Sequence, residues 1–297
     1  MHSPFYQPSG RIPVATGPVL LAAIACAGLA ALPYAWMTLE WPWYVNVFAT
    51  FGFAFGLAGV VHLACQVGRV RDPGLMRQFG LAVGLSGWAL QWVFWIVFAS
   101  YASVDSMPGQ SLRIPIADLF SDPGAFARGL GIALDATDWF EKDRHELLRY
   151  VSWFAEFLLQ TSMPAAAGYG AAGKPFCEAA GQWATVTALP QHFVAGHLTG
   201  ARSHFIAHPE QLLPALTVLT APLPTHARVT LYRGKADTYI SVDIVKGWTE
   251  DGGPARRSTL LEYLRVPGRA VDAFLERVNR SENKAAPAAR KKSRSAN

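Results

Sequence analysis

Charged residues make up 16% of this 297-residue chain, against roughly 25% in a soluble domain, while 51% are hydrophobic and 12% aromatic. That deficit argues against an ordinary soluble globule and points to lipid. Cys26 and Cys65 lie inside apolar runs and Cys177 stands alone, which argues against a disulfide framework; the formal charge of +5 is unevenly spread along the chain.

Residues 1–17 hold Pro4, Pro8, Pro13 and a single Arg11, and read as a polar lead rather than a folded element. The apolar run 18–36 is long enough to cross a bilayer once. A small-residue site around Ala30 would also suit a cleaved signal peptide, but the run continues into Tyr34-Ala35-Trp36, an aromatic edge of the kind a retained span carries. The connection Glu40-Trp41-Pro42-Trp43-Tyr44 suits an outer headgroup belt. Span 2, 44–67, has Gly52, Gly56 and Gly59 for close helix approach and His62 as its one acidic or basic side chain. Arg69, Arg71 and Arg77 then set the topology, because three arginines in a short loop place it on the cytoplasmic side.

Span 3, 79–101, shows Gly80, Gly84, Gly87 and Gln91 on one stripe and Trp88, Trp92 and Trp95 on the next. An outer loop, 102–146, has a net charge of −4 and two short amphipathic helices split by Pro123-Gly124. Span 4, 148–172, carries the polar stripe Ser152, Glu156 and Gln160, with Pro164 following. Counting depth at 1.5 Å per residue brings Glu156 and Gln91 to nearly one level in antiparallel helices. Glu156 is therefore expected to face the bundle interior as an uncharged acid and donate to Gln91, the alternative being a carboxylate that faces water beneath the outer loop.

From 173 to 280 the composition changes to a small α+β domain. Arg228–Tyr232, Thr238–Val245 and Thr259–Arg265 alternate as strands, Pro209–Leu219 reads as a helix, and Gly268–Val278 as a closing amphipathic helix. Seventeen Lys/Arg face ten Asp/Glu from residue 173 onward, a net of +7 that keeps the region inside. The tail 281–297 is disordered in composition, and its Lys284, Arg290, Lys291, Lys292 and Arg294 are expected to bind anionic lipid. The fold class that results is an α-helical membrane protein, a four-span bundle followed by a small cytoplasmic α+β domain.

At Phe176-Cys177-Glu178-Ala179-Ala180-Gly181-Gln182-Trp183 the wording resembles a zinc-ribbon knuckle, F-C-x-x-C-G-x-W, with Ala180 where the second cysteine belongs. In general layout the chain resembles uncharacterised bacterial multi-span inner-membrane proteins with such a domain after the last span. The resemblance implies a ribbon-like fold without its metal, since the hairpin turn that would hold the second knuckle offers Arg233 and Ala236. His192, His197, His204, His208 and His226 form an alternative set that lacks a completing thiol or carboxylate. No phosphate loop, dinucleotide fingerprint, nucleophile elbow or zinc-protease helix occurs, so no metal, cofactor or catalytic residue is expected. The leading expectation is a non-enzymatic scaffold or accessory protein of a bacterial inner membrane, multi-pass, with both termini cytoplasmic. Its expected partners are membrane lipids and a protein partner or second copy, with no specific nucleic acid. The alternative is a small channel or transporter component with a polar path between spans 3 and 4.

Overall fold

The computed structural model describes residues 3–106, 116–136, 146–219, 223–247 and 256–280. The chain divides into two compact units, one running from Ser9 to Gly173 and the other joining the residues up to Pro8 to those from Lys174.

The first unit is helical. Its long helices are α1 (Thr16–Glu40), α2 (Trp43–Gly68), α3 (Pro73–Ser106) and α6 (Glu146–Ala172), with the short α4 (Ile116–Ser121) and α5 (Pro123–Ala136) between the last two. Three segments, Thr16–Glu40, Tyr44–Gly68 and Pro73–Ala99, are long and apolar enough to cross a membrane. Helix α3 begins six residues before the expected boundary. Asp72 caps it, its Oδ1 accepting the Leu75 N–H at 2.9 Å, and Pro73 sits at the first helical position, where no donor is lost. Helix α2 closes in a Schellman-type turn on Arg69, which adopts φ +50° while the Val70 N–H reaches the Cys65 carbonyl. The basic connection is not uniformly free. Arg69 and Arg77 are exposed, but Arg71 is buried and its backbone pairs with Gly10 and Arg11.

Glycine sets the closest helix contact. A Cβ on Gly84 would collide with the Gln160 carbonyl oxygen and lie 2.8 Å from Thr161 Cα; one on Gly80 would lie 2.6 Å from the Pro164 carbonyl carbon. Pro164 cannot donate to the Gln160 carbonyl, and it is this oxygen that abuts Gly84. Gly87 instead faces Leu57 and Phe53 of α2, while Gly52, Gly56 and Gly59 meet nothing among the described residues, so the expected close approach on that face of α2 does not occur among them. The tryptophans beside the glycine stripe turn to α6, Trp88 against Phe157 and Trp92 against Trp153. Helices α4 and α5 lie on α3, where Leu119, Phe126 and Leu130 cover Val93, Ile96 and Val97.

The second unit is a five-stranded antiparallel sheet with short helices. β5 (Thr225–Arg233), β6 (Thr238–Lys246) and β7 (Arg256–Val266) form a meander, and β3 (Thr185–Ala188) and β4 (Phe193–Val194) both pair with β5. A separate hairpin joins β1 (Phe176–Cys177) to β2 (Gln182–Trp183). The expected strands are thus longer, and four short ones were not anticipated. The expected helix Pro209–Leu219 breaks into a 3-10 turn, Pro209–Gln211, and α9 (Leu212–Ala215), after which Val218 bridges Phe193. Two earlier turns, α7 (Gly196–Gly200) and α8 (Arg202–Ala207), and a closing helix α10 at 268–280 complete the unit; Val271, Phe274 and Val278 of α10 share a core with Leu231, Ile240, Val242 and Leu264.

The polar lead is also corrected. Phe5 bridges Leu264, the Arg265 N–H donates to the Pro4 carbonyl at 2.8 Å and the Tyr6 N–H to the Tyr263 carbonyl at 3.0 Å. Residues 4–6 therefore cover the outer edge of β7, satisfying donors and acceptors that an edge strand leaves open. Tyr6 packs edge-on to Tyr239 and Tyr263, and Tyr263 itself holds φ +52°, a bulge where its N–H turns to Ser241 Oγ.

Candidate functional site

The four long helices enclose a polar centre on an otherwise apolar ground. Glu156 of α6 presents Oε1 to three donors: Tyr34 Oη of α1 at 2.6 Å, Gln91 Nε2 of α3 at 2.7 Å and Gln160 Nε2, one turn along α6, at 3.0 Å. Gln160 Nε2 also donates to Gln91 Oε1 at 2.8 Å. This corrects the expected direction of the Glu156–Gln91 bond. The amide donates to the acid, because the carbonyl end of Gln91 is already taken by Gln160. Ser152, the third member of the stripe, lines the same space.

Beyond Tyr34 the network continues into α2. Tyr34 Oη lies 2.8 Å from Thr50 Oγ1, which donates to the Asn46 carbonyl at 2.9 Å. Two proton arrangements fit these distances. An ionised Glu156 accepts from all three neighbours. A protonated one donates to Tyr34, which donates to Thr50, which donates to the Asn46 carbonyl, so the hydroxyl groups accommodate either state of the acid with no side chain moving.

These residues border a cavity of about 360 Å³, at the low end of small-molecule sites. Its walls are Tyr34, Ala35 and Thr38 of α1, Asn46, Val47, Thr50 and Phe51 of α2, Trp92 and Trp95 beside Gln91 on α3, and Trp153 and Leu159 beside Glu156 on α6. All lie toward the end of the bundle that carries the α1–α2 turn. Tyr34 was expected at a lipid interface beside Trp36. The helical offset separates them: Trp36 is half exposed, whereas Tyr34 is buried and stacks on Phe53 at 4.5 Å. Asn46 and Thr50, one turn apart on α2, were not anticipated; two polar residues at that spacing in an uncharged run are the signal that could have found them.

In the sheet unit, Cys177 receives the 234–237 turn. Lys235 N–H donates to its Sγ at 3.2 Å, and a Cβ on Gly234 would lie 2.9 Å from Cys177 Cβ. Burial works to raise this thiol, but the backbone N–H groups of Ala236, Ala180, Lys235 and Ala179 outweigh it and hold the group below its ordinary range. The two turns that a ribbon would use as knuckles thus face each other, with N–H groups around one sulfur. The histidines are dispersed. His197 contacts the Ala215 carbonyl, His204 the Gln211 side chain and His208 Glu210, while His192 stacks on His226 at 4.1 Å. Burial first, then the charges of His226 and Arg228, keeps His192 below the usual imidazole value. Among the described residues no three His, Cys, Asp or Glu side chains are grouped to hold a metal ion. The tail residues Lys284, Arg290, Lys291, Lys292 and Arg294 lie outside the described residues.

The site is therefore a helix-bundle cavity with one carboxyl group, a hydroxyl chain and aromatic walls. Comparison of the chain with protein-family models, curated proteins and solved structures finds no match.

Proposed function

We propose that α1, α2, α3 and α6 all cross a bacterial inner membrane and that the protein is a small channel or transporter component working through the Glu156 cavity. The observation that carries this reading is the carboxyl group of Glu156 at the meeting of helices α1, α3 and α6, beside a cavity. An ionisable side chain at membrane depth is costly and is a functional candidate by default. A structural polar clasp would need no space beside it. Ion or proton flux into vesicles reconstituted with the full chain is expected, and Glu156→Ala is expected to abolish it; flux that persists in Glu156→Ala contradicts the reading.

Both termini are cytoplasmic in this account, on the strength of Arg69, Arg71 and Arg77 between two apolar helices and the +7 region from residue 173. Alkaline phosphatase fused at Gly109 is expected to be active and at Gly252 inactive; the reverse pattern inverts the topology. The basic tail from Lys284 to Arg294 then lies beside anionic lipid, where each Lys or Arg contributes about 1 kcal/mol.

A second reading, a scaffold that docks a protein partner, is favoured by β3. All four of its residues are exposed at the sheet edge, with Val186 55% accessible, and an edge of this kind accepts an added strand. Purification in mild detergent that repeatedly yields the chain alone counts against it.

A further inference from the structure

The cavity is chemically one-sided. Among the described residues Glu156 is the one carboxyl group on its walls, and no lysine, arginine or histidine lines it. The Oε1 atom takes all the hydrogen bonds that Glu156 makes among the described residues, which leaves Oε2 for an incoming group. Two further polar atoms of lining residues, the acceptor Asn46 Oδ1 and the donor Trp92 Nε1, are buried with no hydrogen-bond partner among the described residues. Five of the lining side chains are aromatic: Trp92 stands edge-on to Trp95 at 5.6 Å and to Trp153 at 5.0 Å, with Phe51 and Tyr34 on other helices. A carboxylate and several aromatic side chains, with no balancing cation among the described lining residues, form the complement of a positive charge with apolar substituents.

We propose that this cavity binds a hydrophobic organic cation, a substituted ammonium, which takes the place of the proton on Glu156. This names the solute class for the channel or transporter reading and rests on it. As the cation enters, the carboxyl group releases its proton to solvent, so the charge held in the site is unchanged. Of the groups that face Glu156, α1 contributes the phenol of Tyr34, while α2 (Asn46, Thr50), α3 (Gln91) and the rest of α6 (Ser152, Gln160) contribute nothing that titrates in the physiological range. Binding therefore strengthens as pH rises through the titration of this one acid.

The test uses the full chain in detergent, with benzyltrimethylammonium as probe and neopentylbenzene, its uncharged carbon isostere, as control, followed by titration calorimetry. The expected result is saturable binding of the cation to wild type, at least tenfold tighter than the isostere. Glu156→Gln, which keeps the shape of the side chain, should weaken the cation at least tenfold and leave the isostere unchanged. Trp153→Leu should weaken the cation more than the isostere, and wild-type affinity should rise with pH. Equal binding of cation and isostere to wild type overturns the proposal without reference to any variant, and so does cation binding indifferent to both substitutions. Vesicle flux that depends on Glu156 without cation binding overturns the solute assignment and leaves the channel reading standing. Loss of both removes the two together.

Discussion

Replacing Gly84 by leucine is expected to break the contact between α3 and α6. A Cβ at this position collides with the backbone of Gln160 and lies 2.8 Å from Thr161 Cα. Backbone on both sides leaves no flexible side chain to give way. Overpacking of a core costs typically 1–3 kcal/mol, occasionally more, and here the helices themselves must part. Separation also moves Gln91 from Glu156, since Gln91 lies two turns along α3 from Gly84. Gly84→Leu should therefore lower the thermal midpoint sharply and spoil the monodisperse profile in detergent. Gly52→Leu, where an added Cβ meets nothing within 4 Å, is the matched control and should behave as wild type. Equal effects of the two substitutions would mean that α3 and α6 do not meet at Gly84.

The second large effect concerns the polar centre. Glu156→Leu removes the acceptor shared by Tyr34, Gln91 and Gln160. Tyr34 keeps Thr50, and Gln160 keeps Gln91, but the Gln91 amide is left buried with no acceptor. A stranded buried donor costs on the order of 1–3 kcal/mol, whereas replacing both partners by apolar groups can be nearly neutral. Glu156→Leu should thus destabilise the bundle, and the triple substitution of Glu156, Gln91 and Gln160 by leucine, which strands no amide, should recover part of the loss. Flux should be absent from both. Stability and function separate in this comparison, which a purely structural role for the carboxyl group does not allow.

The long apolar runs, the short loop of arginines and the β5–β6–β7 meander were legible because each rests on composition or on a period that survives without tertiary information. The level of Glu156 and Gln91 was legible from rise per residue alone. What depth cannot supply is azimuth. Tyr34 and Trp36 sit two residues apart and point to different surroundings, so the aromatic edge concealed a member of the site. Asn46 and Thr50 leave no mark in charge or glycine content, the two signals that distinguish α2 in the sequence. Helix α3 starts at Pro73 because Asp72 and Pro73 form a cap, a signal masked by the charge of Arg77. The extended segment 4–6 has too few residues to show alternation, and its partner, β7, lies more than 250 residues away in sequence. The two-residue strands β1 and β2 fall below any periodic signal, and only the knuckle-like wording around Cys177 hinted at a tight hairpin there.

The central claim is that Glu156 is a cavity-facing carboxyl group at membrane depth. Its most direct test is carbodiimide labelling of the protein in native membranes, with the modified residue mapped by mass spectrometry. A hydrophobic carbodiimide, which enters lipid and attacks protonated acids, should modify Glu156 more readily than a membrane-impermeant, water-soluble one does. Modification of Glu156 by the water-soluble reagent alone, or of neither Glu156 sample while exposed acids such as Asp122 react, would place the group outside the membrane or seal it from any solute, and contradict the account.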